Sequence, residues 1–143
     1  MPVMTAPELI DLLNRVFPQS RADQFQIETI EEGRLVVRYR ATTEDLRPGD
    51  TVAGPVLMAV SDLAMYLMVL AAIGPVPLAV TTNLNINFLR KPSAGDLVAE
   101  ARLLKLGKQL AVGEVYIRSS GQPDVVAHAT VTYSIPPATP SVI

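Results

Sequence analysis

The sequence predicts an α+β domain in which a curved antiparallel sheet of six strands wraps around one long central helix. The main observation is the stretch 56–73, which contains no Gly or Pro, is bracketed by both, and is apolar around almost its whole circumference. Two apolar runs precede it and four follow it, joined by short turns that favour antiparallel neighbours. Because a helix this apolar must be surrounded, the sheet is expected to curl around it.

The chain opens with a predicted amphipathic helix over 5–17. Thr5 and Glu8 have the spacing of a capping box, and apolar residues recur behind them at helical intervals. The segment 41–53 is polar and rich in turn residues, and it leads the chain into the central helix. Loops of this kind often carry functional residues.

The strands are recognised by the alternation of apolar and polar residues. The clearest run, 80–89, places Thr82, Leu84, Ile86 and Phe88 on one face and a series of Thr and Asn residues on the other. A single domain is predicted over 1–135, followed by a Pro-rich tail over 136–143 that is expected to be poorly ordered. The predicted strands are 25–30, 35–40, 80–89, 97–106, 109–119 and 125–134.

Composition excludes several classes of function. The formal net charge is −2 and the basic residues are scattered, which argues against nucleic acid as a partner. The chain has no Cys and one His, so neither a thiol nucleophile nor a metal site is expected. Glu8 and Asp11 stand where a signal peptide would be apolar, which predicts a cytoplasmic protein.

The stretch 56–73 is also long enough to reach the lower limit for a membrane span. Asp62 lies in the middle of it, at a cost of roughly 2.5–3.5 kcal/mol on insertion scales, and no Lys, Arg or Trp flanks it. We therefore predict a core helix and no membrane contact. One sheet covers only part of such a helix, so the remaining face predicts a homodimer.

The segments 53–62 (AGPVLMAVSD) and 85–92 (NINFLRKP), with the order of elements, resemble the hotdog fold and, within it, the small PaaI-like acyl-CoA thioesterases. The family pattern has His-Gly-Gly at the helix start and an Asp or Glu about two turns later; here Gly54 and Asp62 take these places. The resemblance spans roughly 35–134. It implies hydrolysis of a small or medium acyl-CoA thioester, with coenzyme A as part of the substrate and no cofactor.

The resemblance implies that Asp62 acts as nucleophile or general base and that the Gly54 N–H polarises the thioester carbonyl. Eight residues of one helix separate the two by about 12 Å, whereas both must lie within about 3–3.5 Å of one carbonyl. If they are partners, the Gly54 of one subunit faces the Asp62 of the other across antiparallel helices. The expected assembly is a homodimer with two sites, or a dimer of dimers.

Several residues around this pair are candidates for binding substrate. Arg47 is suited to an anionic acyl group, and Tyr66 to holding the water or the carboxylate. Arg90 and Lys91 stand where the family receives the phosphates of coenzyme A, and Asn85 either lines the acyl pocket or faces water. The substrate-binding candidates are Arg47, Pro55, Tyr66, Asn85, Arg90 and Lys91.

The chain departs from the family pattern, and two alternative functions follow. Ala53 stands where the family commonly has His, Pro55 replaces the second glycine and removes a donor, and Arg47 stands where relatives often have Asn or Gln. These changes motivate a non-catalytic protein that binds acyl-CoA or another small ligand. A hydratase or dehydratase would need a His near the helix start or in the preceding loop, and it is ranked last because the sequence has none there. His128, on the last predicted strand, is expected to be partly exposed rather than catalytic.

Overall fold

The computed structural model describes residues 1–137 of the 143-residue chain. Every predicted helix and strand is present within this range, and its ends lie within two residues of the predicted ones. The predicted tail over 136–143 lies mostly outside the described residues. The elements are helices α1 (Ala6–Val16) and α2 (Gly54–Ile73) and strands β1 (Phe25–Glu31), β2 (Arg34–Tyr39), β3 (Leu46–Arg47), β4 (Thr51–Val52), β5 (Val80–Phe88), β6 (Leu97–Leu106), β7 (Leu110–Ser119) and β8 (Val125–Ser134).

Six strands form one antiparallel sheet in the order β1-β2-β6-β7-β8-β5. The α+β prediction of a six-stranded sheet around a long central helix, the hotdog fold, is therefore confirmed. Strands β3 and β4 form a separate ribbon inside the segment 41–53, which was predicted as loop. The order leaves β1 and β5 as the two edges of the sheet.

Helix α2 packs against strands β2 and β5–β8, and it carries most of the core. It is long and apolar enough to cross a membrane, with a mean hydropathy of 2.2, but 67% of that window is buried inside the domain. The part of α2 that the domain leaves exposed is a stripe near its start, formed by Pro55, Met58 and Ala59. Asp62 continues this stripe one turn further on and is half-buried.

Gly113 of β7 marks a close approach of α2 to the sheet. A Cβ atom at this position would lie 2.6 Å from the carbonyl oxygen of Arg102 and 2.6 Å from the Met65 side chain. Both contacts are far inside van der Waals distance, so a residue with a side chain does not fit without displacement. The glycine lets the buried Met65 rest directly on the sheet backbone.

A β-bulge at Thr82 interrupts the alternation of β5. Thr81 pairs with Tyr133 and Asn83 pairs with Thr132, so two steps along β5 match one step along β8. Directly opposed residues share a face, and the bulge therefore moves Thr81 onto the face that carries the buried Tyr133. Thr81 points toward α2, whereas strict alternation would place it with the outward Asn residues.

The N-terminal helix covers one side of α2 and is built as predicted. The Thr5 hydroxyl accepts from the Glu8 N–H and the Glu8 carboxylate accepts from the Thr5 N–H, completing the capping box. Two short 3₁₀ turns follow α1, and Arg21 lies between them with a φ of 57°. This left-handed backbone is uncommon for a residue other than glycine. Leu9, Leu12 and Leu13 of α1 are buried.

Candidate active site

A cleft of about 670 Å³ lies between the end of α1 with its following turns, the partly exposed side of α2, and the start of β5. Its volume is in the range of small-molecule sites. Apolar side chains form most of the wall, and polar groups are gathered in two clusters. One cluster is Asp62 with Thr81 and Tyr133, and the other is Arg21 with Tyr39 and Asp45.

Asp62 is held by two hydroxyl groups that meet at one of its oxygens. Its Oδ1 accepts from Thr81 Oγ1 at 2.5 Å and from the Tyr133 hydroxyl at 2.8 Å. The Tyr133 oxygen also lies 3.0 Å from the Asp62 carbonyl oxygen. Within residues 1–137, Oδ2 makes no hydrogen bond. The two donors therefore fix the orientation of the carboxylate and leave one oxygen available at the cleft wall.

Tyr133 remains a proton donor under all ordinary conditions. Burial, followed by the negative charge of Asp62, raises the pKa of Tyr133 far above its usual value. The ring stacks against that of Tyr66, with centroids 5.8 Å apart. Packing and hydrogen bonding thus hold the hydroxyl against Asp62.

Tyr66, one turn after Asp62, contributes its ring rather than its hydroxyl. The hydroxyl donates to the Pro77 carbonyl oxygen at 2.8 Å, and the ring edge meets Phe17 with centroids 6.5 Å apart. Burial raises the pKa of Tyr66. The expectation that the Tyr66 hydroxyl holds the water or the carboxylate is wrong for this chain, because the hydroxyl donates its proton to the Pro77 carbonyl oxygen. Tyr66 instead lines the cleft with its aromatic ring.

Gly54 lies at the first position of α2, where backbone donors are free. The preceding Ala53 offers no side-chain cap, Pro55 has no N–H, and the Gly54 N–H makes no hydrogen bond within residues 1–137. A Cβ at Gly54 would touch the ring of Phe88 at 3.5 Å. Gly54 is not among the residues that line the cleft containing Asp62, although the adjacent Pro55 is. The two positions are separated by eight residues, about 12 Å along the helix.

The remaining candidates lie apart from the cleft of their own chain. Arg47 is exposed on β3, and Asn85 pairs with Thr130 on the sheet face that points away from α2. Of its two alternatives, Asn85 therefore takes the exposed one in a single chain. Arg90 and Lys91 are exposed just after β5, two and three residues beyond Phe88, whose ring lies next to Gly54. The structure thus brings together Pro55, Asp62 and Tyr66, but not Gly54, Arg47, Asn85, Arg90 or Lys91.

Sequence reasoning missed the second polar cluster of the cleft. Asp45 is buried, and its carboxylate accepts from the Tyr39 hydroxyl at 2.9 Å, from the Thr42 N–H at 2.8 Å and from Arg21 at 3.1 Å. Burial alone would raise the pKa of Asp45, but these hydrogen bonds outweigh it and lower the pKa. Arg21, Tyr39 and Asp45 come from separate segments of the chain, so no spacing in the sequence predicts that they meet.

His128 takes the position expected for a residue outside the site. It lies on β8 with its ring 2.9 Å from the Glu114 carboxylate, and it is partly exposed on the sheet face away from α2. Within residues 1–137, no three His, Asp or Glu side chains are placed to hold a metal ion.

Comparison with known proteins identifies relatives of this chain. Residues 49–126 match the family model of the thioesterase superfamily. A structure described as a putative thioesterase from Silicibacter sp. TM1040 is 44% identical, with 96% of this chain and 95% of that chain covered at a TM-score of 0.87. The PaaI protein from the phenylacetic acid degradation operon of Escherichia coli is 25% identical, with coverage of 94% and 95% and a TM-score of 0.77. A protein of Thermoplasma acidophilum named putative esterase is 29% identical over 64% of this chain and 69% of its own length.

Proposed function

Because the chain belongs to the thioesterase superfamily and is PaaI-like, we propose that it hydrolyses the thioester of a small or medium acyl-CoA with Asp62 as the reacting carboxylate. Family membership supports a hydrolase of thioesters. The observation that carries the finer proposal is the geometry of Asp62, whose Oδ1 is held by Thr81 and Tyr133 while Oδ2 is left without a partner in the described chain. A carboxylate of fixed orientation at a cleft wall suits a nucleophile or a general base.

Two routes are consistent with this geometry. In the first, an Asp62 oxygen attacks the thioester carbon, the C–S bond breaks, coenzyme A leaves as thiolate, and water hydrolyses the resulting anhydride. In the second, Asp62 takes a proton from a water molecule whose oxygen attacks the same carbon, the C–S bond then breaks, and coenzyme A leaves as the thiol after receiving that proton. Both routes form a negatively charged oxygen that needs a backbone donor.

We place that donor on a second copy of the chain, in a homodimer. The Gly54 N–H lies at the positive end of the α2 dipole, but it is too far from the Asp62 of its own chain to share a carbonyl with it. Antiparallel packing of two α2 helices would bring the partner's Gly54 to this Asp62 and form two sites. The exposed stripe of Pro55, Met58 and Ala59 and the exposed edge strand β5 support this interface.

The same assembly gives the basic pair after β5 a role. Arg90 and Lys91 follow Phe88, whose ring lies next to Gly54, so we place them near the start of α2, where the coenzyme A part of the substrate would enter. We propose that they meet its phosphates. Coenzyme A is then part of the substrate, no cofactor is required, and the reaction suits a cytoplasmic enzyme acting as a dimer or a dimer of dimers.

The second candidate is a protein that binds acyl-CoA without turnover. Pro55 removes a backbone donor from the helix start, and the Tyr66 hydroxyl is occupied by Pro77 instead of being available to a water molecule. Both features reduce the groups available for catalysis. This candidate predicts thermal stabilisation by acyl-CoAs without release of thiol.

A panel of acyl-CoAs with coenzyme A release as readout separates the two candidates. We expect hydrolysis by the natural chain and a loss of at least about a hundredfold in Asp62→Asn, as for removal of a nucleophile or base. The matched control is Asp124→Asn, which should keep full activity because Asp124 is exposed in the turn between β7 and β8. Turnover by Asp62→Asn equal to that of the control would end the proposed mechanism.

A further inference from the structure

Three aromatic rings form a row that leads away from Asp62 along the wall of the cleft. The Tyr133 hydroxyl donates to Asp62 Oδ1 at 2.8 Å, and the Tyr133 ring stacks on Tyr66 with centroids 5.8 Å apart. The Tyr66 ring meets Phe17 edge to face, with centroids 6.5 Å apart and an angle of 89° between the ring planes. All four residues line the cleft and belong to one chain, so this aromatic row (Tyr133, Tyr66 and Phe17) is complete without a partner subunit.

Phe17 is the member of the aromatic row that keeps an exposed surface. Tyr66 and Tyr133 are 6% and 3% exposed, whereas Phe17 is 42% exposed and its neighbour Val16 is 44% exposed. Both Val16 and Phe17 line the cleft, which therefore carries apolar surface that the described part of the chain leaves uncovered. Covering such a surface with hydrocarbon is favourable, because it removes apolar area from water.

The backbone on both sides of Phe17 is fixed. The Phe17 N–H donates to the Leu13 carbonyl oxygen at 2.8 Å, and the Phe17 carbonyl oxygen accepts from the Ser20 N–H at 3.0 Å. Pro18 follows directly and restricts the backbone further. The ring is therefore presented to the cleft from a rigid turn at the end of α1, and not from a free loop.

The aromatic row offers hydrocarbon surface and no free hydroxyl proton. The Tyr133 hydroxyl donates to Asp62 and the Tyr66 hydroxyl donates to Pro77, each at 2.8 Å. A polar group of a ligand lying along these rings would lose its hydration without gaining a hydrogen bond from them, which is costly. A saturated hydrocarbon chain has no such cost, so it is the ligand chemistry that the row suits.

The spacing of the rings gives the length of chain that reaches Phe17. An extended chain advances about 3.3–3.6 Å for every three bonds. Ring-to-ring steps of 5.8 and 6.5 Å then correspond to about five or six bonds each. A chain that starts at a thioester carbon beside Asp62 first passes the two tyrosines and reaches the Phe17 ring after about ten bonds.

We propose, on the basis of the proposed thioesterase function, that Phe17 is a specificity-determining residue for saturated, unbranched acyl groups of about ten carbons. The methylenes remote from the thioester cover the exposed Phe17 ring, whereas an acyl group of about six carbons ends at the tyrosines. Phe17 takes no part in the chemical step. It acts on the choice of substrate through the apolar surface that it adds to the cleft.

The test compares hexanoyl-CoA with decanoyl-CoA, by kcat/KM in the natural chain and by calorimetric Kd in an Asp62→Asn background. Full burial of one methylene corresponds to about fourfold in an equilibrium constant, and methylenes over the half-exposed Phe17 are buried in part. We therefore expect decanoyl-CoA to be preferred to hexanoyl-CoA by at least about tenfold in both measurements.

Three substitutions of Phe17 identify the origin of this preference. Phe17→Ala removes the apolar surface and Phe17→Gln replaces it with a polar side chain, so both should reduce the preference to about twofold or less. Phe17→Leu keeps an apolar side chain and should retain most of it. Leu110→Ala removes an exposed apolar side chain of β7 outside the cleft and is the matched control that should retain all of it. Thermal unfolding verifies that each variant is folded.

Equal kcat/KM and Kd for hexanoyl-CoA and decanoyl-CoA in the natural chain would overturn the inference. A preference that survives in a folded Phe17→Ala or Phe17→Gln would overturn it as well, as would its loss in Leu110→Ala. A change of mass in light scattering of Phe17→Gln, with the preference retained, would show that a second copy of the chain covers the ring instead of the acyl group. A Kd preference that depends on Phe17, in a chain that hydrolyses neither thioester, would support the inference while refuting the proposed catalysis.

Discussion

Tyr133→Phe tests whether the hydroxyl pair at Asp62 matters to catalysis. The substitution removes one oxygen and keeps the ring that stacks on Tyr66 at 5.8 Å, so the packing of the cleft wall is preserved. The lost hydrogen bond is the 2.8 Å contact with Asp62 Oδ1. A hydrogen bond to a charged group is worth about 1.5–3 kcal/mol, and each 1.4 kcal/mol corresponds to about tenfold in rate.

We do not expect kcat to fall by as much as the upper part of that free-energy range implies. The Thr81 hydroxyl still donates to the same oxygen at 2.5 Å and limits how far the carboxylate can turn. We therefore expect kcat for acyl-CoA hydrolysis to fall about tenfold with little change in KM, because orientation of the reacting group rather than substrate binding is affected. In the double variant Thr81→Val with Tyr133→Phe, kcat should fall by more than the product of the two single decreases. In each single variant the remaining hydroxyl still holds the Asp62 carboxylate.

Tyr116→Phe is the matched control for this experiment. Its hydroxyl also donates to a carboxylate, that of Glu114 at 3.1 Å, but on the sheet face away from the cleft. The measurement compares kcat of the two variants by steady-state kinetics, and thermal unfolding verifies that both are folded. Undiminished kcat in Tyr133→Phe, or an equal decrease in Tyr116→Phe, would refute the assignment of Tyr133 as a positioning residue.

Two further predictions address the core and the proposed dimer. Gly113→Ala should lower the free energy of unfolding by about 1–3 kcal/mol, measured by urea titration, because its Cβ would lie 2.6 Å from both Arg102 O and Met65; unchanged stability would show that α2 moves freely away from the sheet. Met58→Glu should convert the proposed dimer to monomers and abolish thioester hydrolysis, as followed by light scattering and coenzyme A release, because it places a charge in the exposed stripe of α2. Leu104→Glu, on an exposed position of β6, is its control, and an active monomeric Met58→Glu would contradict a shared site.

The bulge in β5 is a feature that the alternation of apolar and polar residues could not predict. Strict alternation over 80–89 places Thr81 with the outward Asn residues, and one extra residue at Thr82 reverses that assignment. Bulges depend on how two strands match each other rather than on either sequence alone. For this reason the sequence identified the carboxylate but not Thr81, which fixes its orientation. Tyr133 was missed for a simpler reason: an aromatic residue on the inner face of a strand resembles ordinary core.

Local sequence determined the fold and the carboxylate. The uninterrupted apolar stretch, the alternating runs and the short turns are all encoded within neighbouring residues, so the central helix, the six strands and the unusual Asp62 could be predicted directly. The same holds for Gly54 and its free N–H, because a helix that begins with Ala-Gly-Pro has no side-chain cap.

The tertiary structure alone decided what surrounds that carboxylate. Asp62, Thr81 and Tyr133 come from three elements, and Arg21, Tyr39 and Asp45 from three others, and hydrogen bonds between distant segments leave no periodic trace in a sequence. Tyr66 was placed at the cleft by its helical spacing, but the direction of its hydroxyl was set by the Pro77 carbonyl. Sequence spacing specifies which residues share a face, whereas the partner of each polar atom depends on how the faces pack.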